Sequence, residues 1–193
     1  MEGTAKKPSY LGLLNAIALG EGRAHQYLNC WAAKTPDPDV KKIIATVAIR
    51  EGEHSHAFTK RLCELGYTVQ DRPDTTFEKN MAIANADCTD LEKFEALGFG
   101  GREGERNRDP FKGIFDDESI DIKTGELLGR YIAEERDSGR MLRACYNVLR
   151  ERAGHSRRPG QSGSSELRDL HGRLDEICAA ISKLQTKVTA LRR

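Results

Sequence analysis

Along residues 38–65 the apolar positions recur at intervals of three and four: Val40, Ile44, Val47, then Phe58, Leu62 and Leu65. That spacing is one face of an α-helix, and a stripe this long needs other helices to cover it. Residues 9–34 carry the same rhythm through Leu14, Ile17, Ala24, Leu28 and Trp31. Prolines at 8, 36, 38, 73, 110 and 159 interrupt the chain, and the stretches between them are mostly long and helix-periodic. An all-α bundle is the fold class this pattern dictates. A composition of 32% charged and 6% aromatic residues suits well-solvated helices of that kind.

Helix A is expected from about Ser9 to Lys34 and helix B from about Pro38 to Leu65, where Gly66 offers a C-cap. Helix C, from Thr75 to Leu97, keeps helical spacing through Phe77, Met81, Ala84, Cys88, Leu91 and Glu95. Asn85, Asp87, Thr89 and Asp90 weaken it and favour a break. A glycine-rich, charged connection comes next. Helix D is expected from Lys123 to Ala153, with Leu128, Tyr131, Glu135, Ser138, Leu142, Cys145 and Leu149 on one face. Residues 154–165, "GHSRRPGQSGSS", read as a flexible linker. Beyond it Leu167, Leu170, Leu174, Ile177, Ile181, Leu184, Val188 and Leu191 alternate three and four, the register of a coiled coil. The expected organisation is a helical bundle over 1–153, the linker, and a coiled-coil oligomerisation helix over 166–193. A homo-oligomer is the simplest partner for that seam.

The net charge of +1 gives no global signal for nucleic acid or an anionic membrane. No apolar run approaches the roughly 18 residues of a membrane span. The N-terminal "MEGTAKKPSY" lacks a signal-peptide core. Five scattered cysteines without a CxxC pair speak against a zinc ribbon or a disulfide framework, so a cytoplasmic location is expected.

Three polar residues interrupt the stripes. Glu51 and His54 stand in the core-facing row of helix B, three apart and therefore neighbours. Glu21 stands in the row of helix A. Glu21 and Glu51 each lie fifteen residues from Pro36, so an antiparallel hairpin turning there brings them to one level. Two buried carboxylates repel unless a cation or a proton lies between them. With the imidazole of His54 beside them they form a ligand set rich in oxygen, which suits iron or manganese better than structural zinc. His25 and His56 read as surface histidines, and Tyr27, Trp31 and Tyr131 as core aromatics.

"LGEGRAHQY", followed thirty residues on by "EGEH", resembles the first helix pair of the rubrerythrin-like di-iron proteins of the ferritin-like superfamily, over residues 10–66. The same hairpin resembles encapsulated ferritins. The resemblance implies a ferritin-like four-helix bundle with Glu21, Glu51 and His54 as ligands of a di-iron centre. It implies reaction with O2 or peroxide, and an electron-donor protein as partner. The second half departs from the family's repeated Glu-x-x-His. Aligning helix D on helix B offers Glu134 and Asp137, whereas the stripe offers Glu135 with Ser138 in the histidine's place. Helix C offers Glu95. A half-site completed by a second subunit, as in encapsulated ferritins, would accommodate the asymmetry. Two function classes emerge: a di-iron or di-manganese oxidoreductase of the peroxidase or ferroxidase kind, and a non-enzymatic oligomeric scaffold or adaptor with a degenerate metal site.

Overall fold

In a computed structural model of the chain, residues 7–71, 73–100, 111 and 113–156 are described. The turn at 35–37 sets the layout. It joins α1, Leu11–Lys34, to α2, Pro38–Glu64. Asp37 accepts hydrogen bonds from the backbone N–H groups of Asp39 at 2.9 Å and Val40 at 3.2 Å, and Pro38 supplies the preset first helical position. At the far end Gly66 adopts φ 81°, a left-handed conformation that glycine enters without strain, and the Tyr67 N–H returns to the Leu62 carbonyl at 2.9 Å.

Helix C does not form as one element. α3 spans Thr75–Asn85 and α4 spans Asp90–Ala96. Thr89 restarts the chain with a capping box: its hydroxyl accepts from the Glu92 N–H while the Glu92 carboxylate accepts from the Thr89 N–H. The restart resets the helical phase. Phe94, not Leu91 or Glu95, is fully buried, its ring meeting that of Trp31 edge-on at 4.8 Å between centroids. Asp90 takes both the Trp31 indole N–H and the Thr35 hydroxyl at 2.6 Å. Lys93 is buried and donates to the Ala84 carbonyl at 3.0 Å, satisfying an orphan acceptor in the last turn of α3.

A 3-10 turn at Ile114–Asp116 precedes α5, Ile122–Ser156. Asp121 gathers the ends of three helices. Its carboxylate accepts from the Thr124 N–H and hydroxyl at the start of α5, from Tyr10 at the start of α1, and from Arg61 near the end of α2. α5 runs three residues past Ala153, so the first residues read as linker are helical. The rest of the linker and the coiled coil expected over 166–193 lie outside the described residues. The chain divides into two compact units, 1–152 and 153–193, and the first of them contains the whole hairpin and nearly all of α5.

Every regular element among the described residues is helical, and none is long and apolar enough to cross a membrane. α1, α2 and α5 share a core made of two apolar clusters. One, around Leu28, Trp31, Val40, Ile44, Val47, Leu142 and Cys145, lies toward the 35–37 turn. The other, around Leu14, Ile17, Phe58, Leu62, Leu128 and Tyr131, lies toward the opposite end. On all three helices the residues separating the clusters include acidic or imidazole side chains: Glu21 on α1, Glu51 and His54 on α2, Glu135 on α5. The core is thus two oily layers with a polar layer between them.

Candidate metal centre

Close approach of α1 and α2 brings that polar layer together. Each of the two glutamates is followed by a glycine, and a Cβ at either glycine would collide with the other helix. At Gly22 it would meet Ser55 Oγ at 2.8 Å; at Gly52 it would meet His25 Nδ1 at 2.8 Å. Ser55 donates to the Ala18 carbonyl at 2.8 Å, and His25 donates through Nδ1 to the Ala48 carbonyl at 2.6 Å. His25 therefore pins the helix pair, which explains its half-buried position. His56 donates to the Gly52 carbonyl of its own helix.

Glu21, Glu51 and His54 are 8%, 7% and 5% exposed, so all three have left water. With Glu135 of α5 they form a group whose four ligand atoms all lie within 4.8 Å of one another. His54 Nδ1 stands 3.6 Å from Glu21 Oε2 and 3.5 Å from Glu135 Oε1. These are the three buried side-chain atoms that have no hydrogen-bond partner among the described residues. Unpartnered buried polar atoms are costly, about 1–3 kcal/mol each and more when charged. Two atoms bound to one transition-metal ion at about 2.1 Å are separated by roughly 3.0–3.4 Å, close to the observed spacings. No salt bridge among the described residues ties Glu21, Glu51 or Glu135 to a lysine or arginine. The group fits a cation.

The surrounding residues fix which atoms face inward. Glu134 Oε2 accepts the His54 Nε2–H at 2.8 Å, and Arg130 Nε holds the other oxygen of Glu134 at 2.9 Å. With Nε2 committed to that donor role, the Nδ1 lone pair is left for a ligand, the usual arrangement of a carboxylate behind a metal-binding histidine. Tyr131 donates its hydroxyl to Glu21 Oε1 at 2.8 Å and leaves Oε2 turned toward His54. The Tyr131 ring stacks edge-on against His54 and Phe58.

Protons offset part of the charge in this layer. Burial pushes the Glu51 carboxyl up, and the neighbouring Glu21 and Glu135 add to the push, to about 11. Burial alone would lower the His54 imidazole, but Glu135, Glu21 and Glu134 outweigh it and raise it to about 10. Burial would also raise Glu21, yet the neighbouring His54, Glu51 and Tyr131 side chains hold it below the ordinary carboxylate range. Burial opposes ionisation of Glu134 as well, and His54 and Arg130 overcome it. A cation entering this layer displaces protons, as metal sites generally do.

Of the residues singled out in the sequence, four meet and three do not. Glu95 is exposed on α4. Asp137 is turned aside into ion pairs with Arg50 at 2.8 Å and Arg140 at 3.1 Å. Glu134 stands behind His54 rather than among the four. The buried stripe of helix D, which selects Glu135 and Ser138, describes α5; the alignment of helix D on helix B does not. Sequence reasoning misses the role of Arg50; it reads Tyr131 as a core aromatic, which its burial bears out, without naming Glu21 as its partner. Tyr131 carries a signal, since it precedes Glu135 by one turn on the same face. No family model, curated protein or solved structure matches the chain.

Proposed function

We propose that this chain is a ferritin-like metalloprotein that binds redox-active iron or manganese through Glu21, Glu51, His54 and Glu135 and reacts with O2 or peroxide. One observation carries the reading: Glu21 Oε2, His54 Nδ1 and Glu135 Oε1 are buried, unpartnered and turned toward one another between two apolar layers. Three carboxylates and one imidazole favour iron or manganese over structural zinc, and no cysteine belongs to the group among the described residues. A bound iron or manganese supplies the change of oxidation state that no side chain provides. The chain itself contributes the rest. Glu134 orients His54, Tyr131 selects the inward oxygen of Glu21, and the apolar clusters keep bulk water from the layer. An external electron donor would complete turnover. The heptads at 167–191 support self-association, which native mass of a Leu174→Glu/Ile181→Glu variant would test by its loss.

A second reading is a scaffold whose polar layer is neutralised by protons alone, favoured by the raised Glu51 carboxyl. Anaerobic loading with ferrous iron separates the two. The metal reading expects uptake by the wild type, its loss in Glu51→Ala, and oxidation of the bound iron by O2 or peroxide. Absence of uptake by the wild type would favour the scaffold, and equal uptake by Glu51→Ala would remove Glu51 from the site.

A further inference from the structure

We infer that each chain accommodates one metal ion, and that the Arg50 guanidinium takes the place beside it that a second ion would need. The inference rests on the metal-binding reading and departs from the two-ion expectation. A di-metal centre in a four-helix bundle draws a Glu from each of two helices and a Glu-x-x-His from each of the other two. On α5 the glutamate is present as Glu135, but the residue three further on is Ser138, on the same face and one turn along. Ser138 is 2% exposed, and its hydroxyl receives Arg50 Nη1 at 3.3 Å. The same nitrogen donates to Asp137 Oδ2 at 2.8 Å and lies 3.7 Å from Met141 Sδ. The two groups that would extend the ligand set along α5 are therefore already held by a cation. Glu95, the α4 candidate, is exposed.

Charge points the same way. Glu21, Glu51 and Glu135, fully ionised around a metal, carry three negative charges. One divalent ion and the Arg50 guanidinium carry three positive. Glu134 is balanced by Arg130, and Asp137 is shared with Arg140. A second divalent ion would leave the layer around Glu21, Glu51 and His54 with two uncompensated positive charges, an expensive state away from bulk water.

Full-length protein stripped of metal and titrated with Mn(II) decides the matter. Equilibrium dialysis gives the stoichiometry, native mass the number of chains, and low-temperature electron paramagnetic resonance the nuclearity. The expected result is one Mn(II) per chain with the spectrum of an isolated ion. Two per chain with an exchange-coupled spectrum would overturn the inference and leave the metal-binding reading standing. Half an ion per chain would also overturn it, since the site would then be shared between subunits. No binding at all would remove the metal-binding reading itself. Arg50→Ala/Ser138→His is expected to take up a second ion. A folded double variant that stays at one ion would contradict the role assigned to Arg50, and the wild-type stoichiometry decides even where that variant does not fold.

Discussion

Removing a single oxygen atom, in Tyr131→Phe, isolates the contribution of the hydroxyl that holds Glu21. The ring keeps its edge-on contacts with His54 at 5.0 Å and Phe58 at 5.2 Å between centroids, so no cavity opens. What is lost is one 2.8 Å hydrogen bond from a buried phenol to a buried carboxylate. The phenol is 7% exposed and the glutamate 8%, so water cannot replace the donor and solvent screening does not shrink the loss. A hydrogen bond to a charged group is worth about 1.5–3 kcal/mol. For a unit of this size ~2 kcal/mol corresponds to a fall of about 4–8 °C in the melting temperature. Urea unfolding of the metal-free protein measures it directly. In a Glu21→Gln background, where the acceptor is neutral, the same substitution should cost about half as much. Mn(II) affinity should drop roughly 10- to 100-fold, because Glu21 Oε2 is no longer held toward His54. A change below about 0.5 kcal/mol with unaltered affinity would refute the claim that Tyr131 positions Glu21.

Gly52→Ala places a Cβ 2.8 Å from the His25 ring and should destabilise by about 1–3 kcal/mol in urea, with His25→Ala/Gly52→Ala recovering part of the loss. Phe58→Ala empties a fully buried position beneath the polar layer and should cost about 3–5 kcal/mol by the same measurement. Asp121 is partly exposed; burial opposes its ionisation, but Thr124, Tyr10 and Arg61 hold its pKa well below the ordinary carboxylate value. A depressed folded-state pKa gives stability that is present above the unfolded value of about 3.9 and is lost as pH falls through the folded one. Asp121→Asn should therefore flatten the acid limb of a pH–stability curve below about pH 4. Asp121→Ala should remove the α5 cap at a cost of about 1 kcal/mol at neutral pH.

The hairpin is legible in the sequence because its signals are local. Two long helical stripes, one capped turn and equal distances from Pro36 place Glu21 opposite Glu51 without any long-range information. Helix D is legible for the same reason, since the core-facing row through Leu128, Tyr131, Glu135, Ser138 and Leu142 is continuous and only Glu135 in it is partly exposed. Helix C misleads because its phase cannot be carried across a break. Thr89 and Glu92 form a capping box that restarts the helix, and everything after it rotates, turning Phe94 inward and Glu95 outward. Ligand choice on α5 is ambiguous because adjacent residues differ by only about 100° around a helix. Glu134 and Glu135 both lean toward His54, one behind it and one beside it. Arg50 is invisible because its partners at positions 137, 138 and 141 lie 87 to 91 residues further along the chain. A single arginine beside a glutamate has no distinctive sequence signature.

Whether Glu21, Glu51, His54 and Glu135 enclose a cation can be seen by anomalous diffraction from crystals soaked anaerobically in Mn(II). One anomalous peak per chain is expected, in contact with those four side chains and lost in Glu51→Ala. A peak confined to surface carboxylates, or no peak while the four groups stay bonded to one another through protons, would contradict the assignment.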